Sequence, residues 1–478
     1  MNEFQKNAIK YIDENAGIFT GVSDEIWANP ELSLKEFKSA KLYCDTLRKY
    51  GFEVEEGIAG VETAFSGKYG NGRPVIGILG EFDALSGLSQ AAGCAEHKPL
   101  VEGAPGHGCG HNMLGAGALG AAFAVKDYLE KTGKPGTVIF YGCPGEEGGA
   151  GKAFMAREGI WRSLDCALTW HPNDVNQVVS GTNNSTIQIL YKYHGKAAHA
   201  AGDPENGRSA LDAVELMNTG VQYLREHMTS DCRIHYAIID AGGVSPNVVQ
   251  SEASVLYMVR ANKVVDSKKL LARVDKIAEG AALMTETTYD REFIDGTAEL
   301  VPNFTLEDVL YHAFKEVGLP EYTPEEEELA KALRETYEVH TAPGIAPMFD
   351  SDIADEVAEK TGGLTDHLCR FIIPEYHTTG FVPGSTDVGD VSWETPAAQI
   401  QCVTFPFGAA GHSWQNVSCG GTSIGHKGLI TAAKVLACAA IELMGDPETL
   451  KKARDEFEKR TRTGYVCPIE PGAVPTAI

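Results

Sequence analysis

The stretch HGCGHN, residues 107–112, places three potential metal ligands within five positions and separates them with glycines. The glycines let the backbone fold tightly enough to direct Cys109 and His111 at one point. A thiolate and an imidazole together suit zinc, manganese or cobalt ions. Three interpretations stay open for this stretch alone: a metal site, a cysteine nucleophile with a histidine base, and a structural turn that contains a buried cysteine.

A second motif, PGEEGG, places Glu146 and Glu147 side by side after an apolar segment. Adjacent carboxylates repel each other unless positive charge is near, and a metal ion supplies that charge. One carboxylate can then bind the ion while the other acts as general base on an activated water. A solvated loop is the alternative, and the apolar segment before the pair makes it the weaker one.

Two further histidines, His171 after DCALTW and His412 in GAAGHSWQ, lie far apart in the chain. Either one alone is more often a packed or exposed side chain than a ligand. With Cys109, His111 and Glu147 they make five potential ligands, a set typical of a two-metal hydrolase in which one group bridges the ions. A cysteine nucleophile would leave the glutamate pair and both distant histidines unexplained.

Four apolar segments precede these groups and must position them. PVIGIL leads to Glu81 and Asp83, GTVIFYGCP leads to the glutamate pair, DCALTW leads to His171, and IQCVTFPFG leads to His412. The segments are short, rich in β-branched and aromatic residues, and separated by helical stretches such as 113–130. This alternation predicts an α/β domain with a largely parallel, mixed sheet flanked by helices. Sites in such sheets lie beyond the carboxyl ends of the strands.

The middle of the chain has a different pattern. From Ser185 the segments read strand, helix, strand, strand, helix, strand over about 110 residues, which predicts an inserted α+β, ferredoxin-like open sandwich. We therefore predict an inserted lid and dimerisation domain, 184–297, within a catalytic domain made of 1–183 and 298–478. Residues 323–385 are the least readable part: EEEELAKALRETYEVH predicts a helix and the remainder predicts loops.

Composition excludes several classes of function. Lys+Arg 41 against Asp+Glu 66 gives a net charge of −25, with no basic patch, so neither nucleic acid nor membrane is an expected partner. The polar segment MNEFQKNAIKYIDENAG lacks the apolar region of a signal peptide, and MLGAGALGAAFAV is too short to span a bilayer. The 11 cysteines form no C-x-x-C pair, which argues against disulfides and a zinc ribbon. We expect a cytoplasmic protein.

A set of motifs along the whole chain carries a family resemblance. In order, they are DEIWANPELSLKEF, GEFDAL, HGCGHN, PGEEGG, WHP, GKAAHAA…GRSALDAV, SPNVVQ and STDVGDVSW. Together they resemble the aminoacylase/carboxypeptidase superfamily of metal-dependent amidohydrolases. Within it, LGEFDALSGLSQAAGCA, FYGCPGEEGG, IAEGAALMTETT and YVCPIEP are similar to the group formed by the B-type subunits of p-aminobenzoyl-glutamate hydrolase. The resemblance covers nearly the whole chain and is weakest over 323–370.

The resemblance implies two divalent metal ions per subunit, and the ligand types suit zinc and manganese about equally. The implied ligands are Cys109, His111, Glu147, His171 and His412. Glu146 is implied as general base, and Asp83 as a carboxylate behind the site that orients a ligand. Where many relatives have Asp, this chain has Asn112, which removes a charge near the metals.

The inserted domain contributes three further residues by the same resemblance. His199 of AAHA is expected to reach an active site, often that of the partner subunit, and to stabilise a developing oxyanion. Asn247 and Arg260 match positions that bind a substrate carboxylate, which a planar guanidinium can hold with two hydrogen bonds. The pattern around Arg260 would otherwise indicate only a surface charge on a strand.

The resemblance implies hydrolysis of the amide bond of an N-acyl or N-aroyl amino acid, above all p-aminobenzoyl-glutamate, a reaction of folate catabolism. It implies a small amide substrate with a free carboxylate as one partner. The other expected partner is a second copy bound through the lid domain, or a related second subunit. Two alternatives stay open: a broader aminoacylase or dipeptidase, and a subunit that needs a related chain for activity.

Overall fold

A computed structural model describes residues 1–338, 355–356, 359–360, 367–381 and 384–476. The helices are α1 Glu3–Glu14, α2 Ala16–Ala28, α3 Phe37–Lys49, α4 His111–Thr132, α5 Gly151–Arg157, α6 Ala210–Arg225, α7 Val264–Thr285, α8 Phe304–Val317, α9 Pro324–Arg334, α10 Val388–Glu394, α11 Trp414–Gly420, α12 Ser423–Gly445 and α13 Pro447–Arg460. The strands are β1 Glu53–Glu56, β2 Phe65–Asn71, β3 Val75–Glu81, β4 Gly136–Cys143, β5 Cys166–Asn173, β6 Gln177–Val179, β7 Ser185–His194, β8 Arg233–Asp240, β9 Glu252–Ala261, β10 Thr288–Thr297 and β11 Ala397–Val403.

The larger sheet is mixed, with strand order β1-β2-β4-β3-β5-β11-β6 within the described residues. Its central strands β4, β3, β5 and β11 are parallel to one another. The outer strands β1, β2 and β6 pair antiparallel. The central strands are almost continuously apolar because helices cover both faces of the sheet. This confirms the predicted α/β class with a largely parallel, mixed sheet.

The second sheet is antiparallel, with strand order β10-β7-β9-β8. The helices α6 and α7 pack on one of its faces and enclose a separate apolar core. Strand β9 alternates between buried and more accessible residues, as expected when only one face of a sheet is covered. The order strand, helix, strand, strand, helix, strand is that of the predicted ferredoxin-like sandwich. The division at 184 and 298 stays a prediction, because the sheets do not mark where either domain ends.

The helix α4 is the central core helix, and its small residues let it lie close to the sheet. A Cβ atom added at Gly117 would come within 2.8 Å of Nε1 of Trp170 on β5, so this approach requires glycine. The same Trp170 nitrogen donates a hydrogen bond of 2.8 Å to the carbonyl of Leu114. The helix begins at His111, slightly before the predicted start near Met113. Close packing therefore holds the start of α4 against β5.

The helix α12, Ser423–Gly445, is long and apolar enough to cross a membrane, and it is the one such helix in the described residues. Most of its length is buried, in contact with α1, α4 and α8. A helix that is apolar on nearly all sides and surrounded by other helices is typical of a protein core.

The acidic segment predicted as a helix contains α9, Pro324–Arg334. Thr323 forms a capping box with Glu326, which explains why the helix begins there. The predicted loops at 339–354, 357–358, 361–366 and 382–383 lie outside the described residues.

Candidate metal centre

The ionisable groups of the four strand-end motifs lie at one edge of the larger sheet. Glu81 ends β3 and is paired in register with Cys143, the last residue of β4. His171, near the end of β5, is paired with Gln401 of β11. Because these strands are parallel, their carboxyl ends meet at the same edge, as expected for a site in an α/β sheet.

Two groups of three ligand atoms form around Cys109 in the described part of the chain. One contains Cys109, His111 and His171, the other contains Cys109, Glu147 and His412, and within each the atoms lie within 4.8 Å of one another. Cys109 Sγ lies 3.4 Å from His171 Nε2, and Glu147 Oε1 lies 3.3 Å from His412 Nε2. Ligands of one tetrahedral ion are about 3.3–3.6 Å apart, so these spacings fit two ions that share Cys109.

Several buried polar atoms at this edge lack the hydrogen bonds that burial normally requires. Among the described residues, Nε2 of His111, Oε1 of Glu147 and Oε2 of Glu81 are buried without a hydrogen-bond partner. A divalent cation satisfies a nitrogen lone pair and carboxylate oxygens together. The residues present therefore fit a metal centre.

Asp83 orients His111 from behind. Its Oδ1 lies 2.9 Å from Nδ1 of His111, and its Oδ2 accepts hydrogen bonds from Ser33 Oγ at 2.8 Å and the Glu147 backbone N–H at 2.9 Å. Burial opposes ionisation of Asp83, but the hydrogen bonds, led by that from His111, lower its pKa to about 2. The charged Asp83 thus accepts the Nδ1 proton and leaves Nε2 of His111 for ligation. This is the orienting position predicted for Asp83.

The other two histidines are held in different ways. His171 Nδ1 lies 2.7 Å from the carbonyl oxygen of Pro172, which leaves its Nε2 directed at Cys109. Burial, together with the charge of His111, lowers the pKa of His171 to about 4, so the ring is neutral at pH 7, the form that binds metals. His412 has a φ of +58°, which residues other than glycine rarely adopt, and its side chain is 54% exposed. Such backbone strain is concentrated at functional sites.

The two adjacent glutamates have different surroundings. Glu147 faces His412, whereas a carboxylate oxygen of Glu146 lies within 4.8 Å of ligand atoms of both Glu81 and His111. Burial, followed by repulsion from Glu81 and Glu147, raises the pKa of Glu146 well above its ordinary value. A carboxyl group that holds a proton more readily than usual suits a general base working near neutral pH.

A buried ion network, absent from the sequence-based predictions, lies behind this pair. Lys152 Nζ lies 2.6 Å from Glu81 Oε1 and 2.5 Å from Asp387 Oδ1, and all three side chains are buried. Burial alone would lower the pKa of Lys152, but Asp387 and Glu81 raise it well above its ordinary value. The available signal was a lysine in GAGKAF directly after a glycine-rich loop. That pattern does not distinguish a buried lysine from an exposed one.

A cavity of about 650 Å³ joins this edge to the inserted domain. Cys109 and Glu146 are among the residues on the sheet side, and Arg260 of β9 lies on the opposite side. The Arg260 Nη1 atom donates a hydrogen bond of 3.1 Å to Ser385 Oγ, which also lines the cavity. The volume is typical of a small-molecule site.

His199 and Asn247 lie outside the residues that line this cavity. Both are exposed. They lie together, because His199 forms a bridge with Val248 and the Ala200 N–H donates a 3.0 Å hydrogen bond to the Asn247 carbonyl. Of the three predicted residues of the inserted domain, the chain brings only Arg260 to its own cavity.

Asn112 and His107 point into the core. The Asn112 amide donates hydrogen bonds to Ser23 Oγ at 3.0 Å and to the Gly420 carbonyl at 3.3 Å. An aspartate could not donate these bonds, so the amide at this position is explained by the packing of α2 and α11. His107 is buried with its Nε2 3.2 Å from the Ile26 carbonyl, and it belongs to neither ligand group.

Comparison with known families places this geometry. The profile of peptidase family M20/M25/M40 matches residues 77–440, a range that includes every candidate ligand. The chain belongs to peptidase family M20/M25/M40. It is similar to the B-type subunit of p-aminobenzoyl-glutamate hydrolase from Escherichia coli K12, with 43% identity over 484 residues and 100% of each chain covered. This full-length similarity confirms the group that the motifs indicated.

Two solved structures share the M20 fold. The aminobenzoyl-glutamate utilization protein from Klebsiella pneumoniae matches with a TM-score of 0.59 at 17% identity, covering 91% of this chain and 97% of that one. A dinuclear metal binding peptidase of the M20 family from Bacillus subtilis matches with a TM-score of 0.52 at 16% identity, covering 91% and 99%. This M20 member is thus a metallopeptidase-like amidohydrolase, as predicted, and the two groups around Cys109 are its candidate metal-binding residues.

Proposed function

We propose that this M20 member hydrolyses the amide bond between an acyl or aroyl group and an amino acid that carries a free carboxylate. The principal substrate is p-aminobenzoyl-glutamate, and the products are p-aminobenzoate and glutamate. The observation that carries the proposal is the single cavity lined by Cys109, Glu146 and Arg260. It places a candidate hydrolytic centre opposite a fixed positive charge, which is what an acidic amide requires.

The proposed centre holds two divalent ions, zinc or manganese, through Cys109, His111, Glu147, His171 and His412. Bound there, the ions supply positive charge that lowers the pKa of a water and polarises the amide carbonyl. Three features support this ligand set: the ligand spacings of 3.3–3.4 Å, the buried atoms without hydrogen bonds, and the histidines fixed through Nδ1.

Glu146 is the proposed general base. Its carboxylate accepts a proton from the attacking water and then donates that proton to the nitrogen of the leaving amine. The raised pKa of Glu146 supports both halves of this role, because the group holds a proton more readily than an exposed glutamate does. Asp83 acts through His111, whose ring it keeps in one orientation.

Arg260 is proposed to bind the α-carboxylate of the amino-acid half of the substrate. It extends from the face of β9 that α6 and α7 do not cover, and it lines the cavity beside Ser385. A guanidinium can form two parallel hydrogen bonds with a carboxylate, which fixes the direction of the scissile amide. Orientation of this kind can supply several kcal/mol of the barrier reduction.

We also propose that His199 and Asn247 serve the cavity of a second subunit. Both are exposed, adjacent and outside the cavity of their own chain. Strand β8 lies at one end of the inserted sheet and exposes Tyr236, Ile238 and Ile239 at 42%, 46% and 50%. An edge strand with exposed apolar side chains is a ready surface for pairing with another chain.

The second subunit is either a copy of this chain or a related one, since the name of the similar E. coli protein makes it one of two kinds of subunit of a hydrolase. A homodimer through the inserted domain is the arrangement that the exposed β8 edge favours. The compartment we propose is the cytoplasm.

Hydrolysis of p-aminobenzoyl-glutamate by the purified chain tests the proposal. Activity should exceed that on N-acetyl amino acids and dipeptides, and it should disappear when a chelator removes the metals. Equal rates across the three substrate classes would instead indicate a broad aminoacylase or dipeptidase. Activity that requires an added related subunit would indicate a heteromer.

A further inference from the structure

The carboxylate of Glu81 has one oxygen fixed and one oxygen without a partner. Oε1 lies 2.6 Å from Lys152 Nζ, whereas Oε2 is buried and makes no hydrogen bond within the described residues. The side chain is only 2% exposed, so water does not satisfy that oxygen. A buried carboxylate oxygen left in this condition is costly unless a cation binds it.

The unpartnered oxygen faces a second unpartnered atom. Glu81 Oε2 lies 3.3 Å from His111 Nε2, and neither atom makes a hydrogen bond within the described part of the chain. The Nδ1 proton of His111 is directed at Asp83, so its Nε2 presents a lone pair to the carboxylate. Two lone pairs at this distance repel each other, and a cation bound to both removes the repulsion.

The spacing is that of two ligands on one ion. It equals the 3.3 Å between Glu147 and His412 and is close to the 3.4 Å between Cys109 and His171. Ligands at about 2.0–2.2 Å from a tetrahedral ion are about 3.4 Å apart. The edge therefore carries three pairs with ligand spacing, one of which includes a residue outside the five proposed ligands.

We propose that Glu81 is a sixth protein ligand and binds the ion that His111 and His171 hold. This inference deepens the proposed function and rests on its metal centre. Lys152 and Asp387 position Glu81: the lysine holds its other oxygen, and Asp387 holds the lysine through Nζ and through a 2.9 Å hydrogen bond from its backbone N–H.

One consequence is that the two ions are unequal. The ion at His111 then has four protein ligands, Cys109, His111, His171 and Glu81, whereas the other has Cys109, Glu147 and His412. Sites closed by four protein ligands are typically structural, and sites with three keep a position open for water or substrate. The exposure of His412 fits this assignment, because the open site is the one that a substrate must reach.

The test is a zinc titration of metal-free protein against a competing chelator, for the wild type, Glu81→Gln and Asp387→Asn. Glu81→Gln keeps the size of the side chain and an oxygen for Lys152. We expect the wild type to bind two ions and Glu81→Gln to bind one of them more than about 100-fold less tightly, beyond the usual loss for residues that only orient a ligand. The matched control Asp387→Asn disturbs the same lysine from the other side and should retain two ions.

Two results would overturn the inference about Glu81: two ions bound by Glu81→Gln with wild-type affinity, or the same loss in Asp387→Asn as in Glu81→Gln. Failure of the wild type to bind two ions would contradict the proposed metal centre itself. If Glu81→Gln does not fold, a crystal structure of zinc-loaded wild type decides. Ligation by Glu81 requires one of its oxygens at about 2.0–2.2 Å from the ion, and a carboxylate that contacts only Lys152 contradicts it.

Discussion

Asp83 Oδ1 lies 2.9 Å from His111 Nδ1, and this contact joins the end of β3 to the first residue of α4. The other oxygen of the same carboxylate binds the backbone of Glu147, after β4. One buried carboxylate therefore fixes the relative positions of two candidate ligands from different elements. Carboxylate–histidine pairs of this kind set the tautomer and direction of metal-binding rings.

Glu146→Gln should abolish turnover without loss of metal. Glutamine cannot accept the proton of the attacking water, so kcat should fall by a factor of about 10²–10⁴. Metal content, measured by mass spectrometry of the purified protein, should stay at the wild-type level. Glu147→Gln is the matched comparison, because it should lose metal as well as activity. Near-wild-type kcat in Glu146→Gln would contradict its role as general base.

Arg260→Lys should weaken recognition of the substrate carboxylate. Lysine keeps the charge but cannot form two parallel hydrogen bonds, so kcat/KM for p-aminobenzoyl-glutamate should fall by about 10-fold to 100-fold. The control is Arg233→Lys, since Arg233 is paired with Arg260 in register on β8 but does not line the cavity. Equal effects of both variants would show that charge on the sheet, not the position of Arg260, matters.

His199→Ala and Glu146→Gln should restore each other when mixed. If His199 acts in the partner's cavity, a mixed dimer contains one cavity with both native residues. Random exchange of subunits should then recover about a quarter of wild-type activity from two inactive variants, because half the dimers are mixed. Activity assays after refolding the variants together give the measurement. Absence of recovery, with mixed dimers demonstrated, would place His199 in its own chain's site or outside the chemistry.

Glu307 should make stability depend on pH at a point remote from the metal centre. This buried residue of α8 has an ordinary pKa of 4.5, and burial raises its pKa to about 8. Because the folded pKa is the higher one, the stabilisation is complete below about pH 4.5 and is lost as the pH rises through about 8. The free energy of unfolding of Glu307→Gln should therefore rise relative to wild type between about pH 5 and pH 9.

Chemical denaturation at several pH values measures this difference. The control is Glu458→Gln, an exposed position on α13, whose curve should run parallel to that of the wild type. A parallel curve for Glu307→Gln as well would mean that the carboxyl group is not destabilised by burial.

The candidate ligands were predictable from sequence because each follows a local pattern. Short β-branched segments identify β3, β4, β5 and β11, and parallel strands bring the residues after them to one edge. Cys109 and Glu147 could thus be assigned to one place from segments far apart in the chain. The inserted sandwich was predictable for the same reason, since its strand and helix periodicities are local.

Other features depended on tertiary contacts that no local pattern encodes. Lys152 follows a glycine-rich loop like many exposed lysines, and only the approach of Glu81 and Asp387 shows that it is buried and paired. Asn112 suggested a lost charge at the metals, whereas its amide in fact binds Ser23 and Gly420.

The most direct test of the proposed function combines metal analysis with an assay of p-aminobenzoyl-glutamate hydrolysis on the same purified chain. We predict two divalent ions per chain, hydrolysis to p-aminobenzoate and glutamate, loss of activity on chelation, and recovery when zinc or manganese is returned. A chain that hydrolyses this amide at full rate without bound metal, or that binds two ions and leaves this amide intact both alone and with a related subunit, would contradict the proposal.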